Sequence, residues 1–98
     1  MGSFDNISGF DWDNGNARKN EQHGVSQSEA EEIFFNEPIV MKEDVRHSEK
    51  ENRWHALGKT SSGRKLHITV TLRMGHTLIR LISAREMSRK ERDYYGKS

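Results

Sequence analysis

The stretch "LHITVTLRMGHTLIRLIS", residues 66–83, decides the fold. Leu66, Ile68, Val70 and Leu72 alternate with His67, Thr69, Thr71 and Arg73. A period of two predicts a strand with an apolar face and a polar face. Met74-Gly75-His76 turns the chain into a second strand over 77–83. Read with strict alternation, Ile79 and Leu81 share a face with Ser83, and Arg80 lies on the opposite face with Leu78 and Ile82.

Working upstream, "TSSG" (60–63) is a turn and "RWHALG" (53–58) a strand, with another at Ile39-Val40-Met41. Before these, the period becomes helical. Ser26 and Glu29 form a capping box, Val25 and Ala30 are placed as its hydrophobic staple, and Ala30, Ile33 and Phe34 recur at helical spacing until Pro38. Phe10-Asp11-Trp12-Asp13 reads as a short strand ending in a cap, then a polar helix to about His23 that Gly24 stops. Downstream, Ser88 and Glu91 repeat the capping box after Met87, and Gly96 ends a terminal helix. The class is α+β: N-terminal helices and a C-terminal helix packed on an antiparallel β-sheet. Residues 1–9 are expected to be a flexible segment and 10–98 a single domain.

Hydrophobic residues make up 32% of the chain, which predicts a thin core. No apolar run is long enough to span a membrane. Cysteine is absent, which excludes disulfides and thiol chemistry and fits a cytoplasmic protein. There is no His-Glu-x-x-His, no tight Asp/Glu cluster with ligand spacing, no glycine-rich phosphate loop and no Gly-x-Ser-x-Gly. Neither a metal nor a cofactor is therefore expected. A formal net charge of +1 conceals a split: residues 1–45 balance to −7 and residues 46–98 to +8. The second half has the balance of a polyanion-binding surface, unless the acidic half folds back to neutralise it.

The basic set is concentrated in "IRLISAREMSRKERDYY", 79–95. Arg80 projects from a strand among apolar neighbours, where a charge needs the sheet edge, an anion or an acid of the N-terminal half. Arg85 follows just before the helix, and Arg89, Arg92 and Tyr95 stand at i, i+3 and i+6 as a stripe. Guanidinium groups suit phosphate because planar donors engage two oxygens at once. Arginine with tyrosine also offers stacking surfaces for unpaired bases. His47 lies in a polar loop close to Glu51 and Arg53, as a general-base candidate would, and His23 ends a helix. A solvated helix face is the competing reading of Arg89 and Arg92.

Several stretches together resemble the BrnT family of bacterial toxins. They are "FDWD" (10–13), Asn20 with "HGVS" (23–26), the helix ending near Pro38, "HSEKENRWHALG" (47–58), "LHITVTLR" (66–73) and "IRLISAREMSRKERDYY" (79–95). The resemblance covers roughly residues 10–95 in order. "RxISAR" followed by "ER-x-x-Y" is its most specific piece. Gln22 stands where the family often has lysine, which removes one possible phosphate contact.

This resemblance implies a RelE-like fold and a type II toxin that blocks translation as a ribonuclease. It also implies neutralisation by a ribbon-helix-helix antitoxin similar to BrnA, and contact with operator DNA only through the toxin–antitoxin complex. The expected reaction is metal-independent: the ribose 2′-hydroxyl attacks the adjacent phosphate. Arg80 and Arg85 are assigned to the phosphate, with Arg53 as a supporting cation and His47 or Glu51 as proton carriers. His23, Arg89, Arg92 and Tyr95 are assigned to RNA binding. The alternative is a non-catalytic basic module that docks an antitoxin or DNA. If the ribonuclease expectation holds, Arg80→Ala stays folded by circular dichroism yet loses RNA cleavage and growth arrest.

Overall fold

A computed structural model describes residues 7–11, 24–44, 53–73 and 77–97. The elements are β1 (Gly9–Asp11), α1 (Gln27–Glu32), which continues as one 3-10 turn (Ile33–Phe35), β2 (Val40–Glu43), β3 (Arg53–Lys59), β4 (Lys65–Arg73), β5 (Leu78–Glu86) and α2 (Arg89–Tyr95). The polar helix expected before His23 lies outside the described residues.

Both capping boxes form as expected. Glu29 N–H donates to Ser26 Oγ and Ser26 N–H to Glu29 Oε1, each at 3.1 Å. Glu91 N–H donates to Ser88 Oγ at 3.2 Å and Ser88 N–H to Glu91 Oε1 at 2.8 Å. Val25 and Ala30, the proposed staple, are both buried in one cluster with Ile33. The helical run ends at Phe35, ahead of Pro38. Gly24 adopts φ +74, in the left-handed region that glycine enters without strain.

One five-stranded sheet runs in the order β1-β5-β4-β3-β2. Strands β2 to β5 form an antiparallel meander, but β1 pairs parallel with β5. The sheet is therefore mixed, a correction to the expected antiparallel one. Three residues of strand carry no signal of direction, and a parallel neighbour is set by the path of the connecting chain.

A second correction concerns β5. Thr69 pairs with Ser83 but Val70 pairs with Leu81, so Ile82 is an extra residue with none opposite. Beyond this bulge the alternation changes phase. Ser83 leaves the face of Leu81 and joins that of Arg80, and Arg85 pairs with His67.

The apolar face of the sheet, with Ala56, Ile68, Val70, Ile79, Leu81 and Ala84, packs against Val25, Ala30 and Ile33. Contact is closest at Gly58, where a Cβ would meet Ile33 Cβ at 2.8 Å and the Ile33 carbonyl at 3.3 Å. Glycine at this point lets the 3-10 turn lie directly on β3. On the other face α2 docks through a smaller cluster of Met87, Tyr95, Leu57 and Val40. Cross-links join the two charge halves. Arg64 bridges Glu29 at 3.1 Å and Glu86 at 2.9 Å, so it ties α1 to the end of β5. The folding-back of the acidic half is thus real, though partial.

Gly58→Ala should destabilise the fold by about 1–3 kcal/mol, the usual cost of overpacking a close contact. Urea unfolding with an unchanged m-value would register it.

Candidate active site

Side chains on the second face fall into rows because the strands are in register. Arg53, Thr71 and Arg80 are cross-strand partners in turn, and Asp11 continues that row on β1. The next row is Lys42, His55, Thr69 and Ser83, and the third is Val40, Leu57, His67 and Arg85. Helix α2 lies over one end of this face, and between helix and sheet is a cavity of about 490 Å³. Lys42, His55, His67 and Arg85 line it from the strands, Lys90, Glu91 and Tyr94 from the helix, over an apolar floor of Val40 and Leu57.

Glu91 orients the cationic side of the cavity. Its carboxylate accepts from Arg85 Nη1 at 2.8 Å and Nη2 at 2.9 Å, while Oε1 also caps α2. Arg85 Nη1 donates in addition to the Glu86 carbonyl at 3.1 Å. The hydrogen bonds from Arg85, helped by the cap, pull the Glu91 carboxyl down to about 2. The same hydrogen bond raises the Arg85 pKa, so both partners stay charged.

Two histidines occupy the centre. The rings of His55 and His67 are stacked, with centroids 4.9 Å apart and planes 24° apart. His55 Nε2 lies 2.9 Å from Asp44 Oδ2 and Nδ1 lies 3.2 Å from Thr69 Oγ1. A carboxylate only accepts, so Nε2 carries the hydrogen that points to Asp44. His67 is only 9% exposed, and its buried Nδ1 has no hydrogen-bond partner. Burial, reinforced by the charge of Arg85, pushes the His67 pKa down to about 4, with Glu91 opposing part of that shift.

Arg85 is at this cavity and is half exposed. Arg80 lies on the same face but in another row, with Nη1 3.7 Å from Asp11 Oδ2. This is the ion pair with an N-terminal acid that the sequence left open as its competing reading. Arg53 stands two strands away in the Arg80 row. His23, His47 and Glu51 lie outside the described residues. Arg89 and Arg92 are exposed on α2 and do not line the cavity.

Tyr95 is a correction. It is only 5% exposed, and its hydroxyl donates to the Pro38 carbonyl, so the ring anchors α2 instead of meeting a base. Burial raises its pKa. Steps of three residues drift around a helix by about 60° each, so the Arg89–Arg92–Tyr95 stripe turns into the sheet by its third member. Tyr94, 58% exposed on the cavity rim, is the accessible ring.

Sequence reasoning also missed Lys42, Asp44, His55, His67, Lys90 and Glu91. Alternation did place His67 on the polar face, but no local signal puts His55 beside it. Among the described residues no three His, Asp or Glu side chains gather as a metal-binding group.

The model of the ribonuclease toxin BrnT of type II toxin–antitoxin systems matches residues 12–91. The chain belongs to this family. No curated protein matches it individually. A BrnT toxin has RNA as its target and an antitoxin as its partner. No described helix is long and apolar enough to cross a membrane.

The depressed pKa values give a pH signature. Below pH 6.5 the unfolded chain protonates His67 while the folded chain resists down to about 4. Stability should therefore fall between those limits as pH is lowered, by at most ~3 kcal/mol. Glu91, stabilising above 4.5, loses its contribution only as pH falls from there toward 2. Denaturation curves of His67→Gln should be flatter between pH 6.5 and 4 and keep the loss below 4.5.

Proposed function

We propose that this BrnT family member is a metal-independent endoribonuclease whose active site is the cavity between α2 and the polar face of the sheet. The scissile phosphate sits on Arg85. One observation carries this reading: Glu91 holds the guanidinium end-on and leaves its other edge open. Of five N–H donors, Nη1 spends two, on Glu91 and the Glu86 carbonyl, and Nη2 spends one on Glu91. The remaining pair, Nε–H and the second Nη2 hydrogen, lie side by side and match two phosphoryl oxygens. Among the described residues nothing else takes them. A preoriented fork of this kind suits charge that builds on a phosphorane, since it needs no reorganisation during the reaction.

Arg80 and Arg53 support a phosphate further along the RNA, beyond the neighbouring one. Thr71, which pairs with both, is four residues from His67 on β4. That places their row on the order of 13 Å from that of Arg85. Tyr94 supplies a stacking surface at the rim, and single-stranded RNA is held through such rings. Lys90 and Lys42 add positive charge inside the cavity, while exposed Arg89 and Arg92 contribute to backbone contacts or to antitoxin docking. The ribose 2′-hydroxyl attacks the adjacent phosphate, leaving a cyclic phosphate and a free 5′-hydroxyl, and loss of messages stops translation. A ribbon-helix-helix antitoxin neutralises the toxin, operator DNA is met only in that complex, and the site of action is the cytoplasm.

Purified protein incubated with total RNA and EDTA should yield fragments ending in cyclic phosphate. Arg85→Ala should stay folded and lose about 100-fold or more in cleavage rate. Complexes retarded on a gel without any fragments would instead indicate the non-catalytic basic module, which docks an antitoxin or DNA without turnover.

A further inference from the structure

The centre of the cavity holds a side chain that the charge-based reading does not use. His67 is buried near the start of β4, yet its Nδ1 makes no hydrogen bond to any described residue. Such unpaired buried groups in folded proteins call for a reason. Its ring is held flat by stacking on His55, which is itself tied at both nitrogens, to Asp44 and to Thr69. His67 pairs across the ladder with Arg85, the residue with the open donor edge.

We propose that His67 is the general base of RNA cleavage, and that the phosphodiester docked on Arg85 switches it on. This rests on the ribonuclease reading above. Other groups of the cavity are already committed. His55 has both ring nitrogens engaged, which makes it a positioning residue. Both Glu91 oxygens are taken by Arg85, and Oε1 by the helix cap as well. Lys42, Lys90 and Arg85 are cations at neutral pH and have no lone pair to offer. His67 is the neutral acceptor that remains, through Nε2, the ring nitrogen outside the buried unpartnered set.

The proton of the 2′-hydroxyl passes to His67 Nε2 as the O2′–P bond forms. The P–O5′ bond breaks, and O5′ takes a proton from the Lys90 ammonium. Solvent then removes the proton from His67 and restores that of Lys90, so charge and protons balance over the cycle. Burial, Arg85 and His55 hold His67 neutral in the free protein, with Glu91 opposing them. A phosphodiester anion on Arg85 offsets the largest of those charges. Lys42 and Asp44 on the strand side and Lys90 on the helix side complete the field around the ring. Basicity therefore rises only when substrate is present.

The first measurement uses the unaltered chain. The His67 ring is titrated by NMR, free and with a 2′-deoxy dinucleotide, a phosphodiester that lacks the attacking hydroxyl. An upward move of the pKa by a unit or more with the dinucleotide bound is expected, and an unmoved titration overturns the switch. His67→Gln should lower kcat about 100-fold or more while KM changes little. An oligonucleotide with sulfur in place of the bridging O5′, whose leaving group needs no proton, should rescue Lys90→Ala and leave His67→Gln slow. A folded His67→Gln protein with wild-type kcat on RNA overturns the base assignment alone. A wild-type protein that binds the dinucleotide and never cleaves RNA overturns the ribonuclease reading, and the base role with it.

Discussion

A single extra residue in β5 decides which charged side chains of this molecule share a face. Because Ile82 has no residue opposite it, Val70 faces Leu81 and Thr69 faces Ser83. Strict alternation would place Arg80 and Arg85 on opposite faces, and Arg85 would then point toward α1. The bulge instead turns Arg85 to the face of His67, His55 and Arg80 without taking Leu81 or Ala84 out of the core. Bulges re-aim side chains in this way while leaving the ladder on either side intact. Burial on both sides of the irregularity holds the register, since a slip of one residue would expose the apolar set.

Glu91 then converts placement into orientation. One carboxylate caps α2 at Ser88 and holds Arg85 through two hydrogen bonds. The helix start and the Arg85 guanidinium therefore share a group. Tyr95 fixes the far end of the same short helix, through its ring in the cluster with Met87 and Leu57 and its hydroxyl on the Pro38 carbonyl. A seven-residue helix has little stability of its own, and here capping and docking supply what length cannot.

The chain's low apolar content is compatible with this design because the core needs only one face of the sheet plus α1. The other face is left to polar and charged groups, whose costs are met by pairing. His55 has Asp44, Arg80 has Asp11 and Arg85 has Glu91. His67 has no such partner among the described residues: it is buried and neutral beside a guanidinium, where the environment disfavours its charge. Family membership supplies the ribonuclease description and the antitoxin partner.

Much of the local structure could be read directly. Both capping boxes, the helix ending before Pro38, the turn at 60–63 and the strands of the meander follow from short-range hydrogen bonding and periodicity, which each segment carries within itself. So does the basic character of 79–95. The parallel pairing of β1, the phase change at Ile82, the inward turn of Tyr95 and the meeting of His55 with His67 were not legible. Each depends on which residues face each other across strands or between helix and sheet, and burial and register decide that only when the whole sheet assembles. The sequence by itself determined the elements and the charge they carry. Only the tertiary structure decided which of those charges share a cavity, because cross-strand register relates residues that have no local means of finding one another.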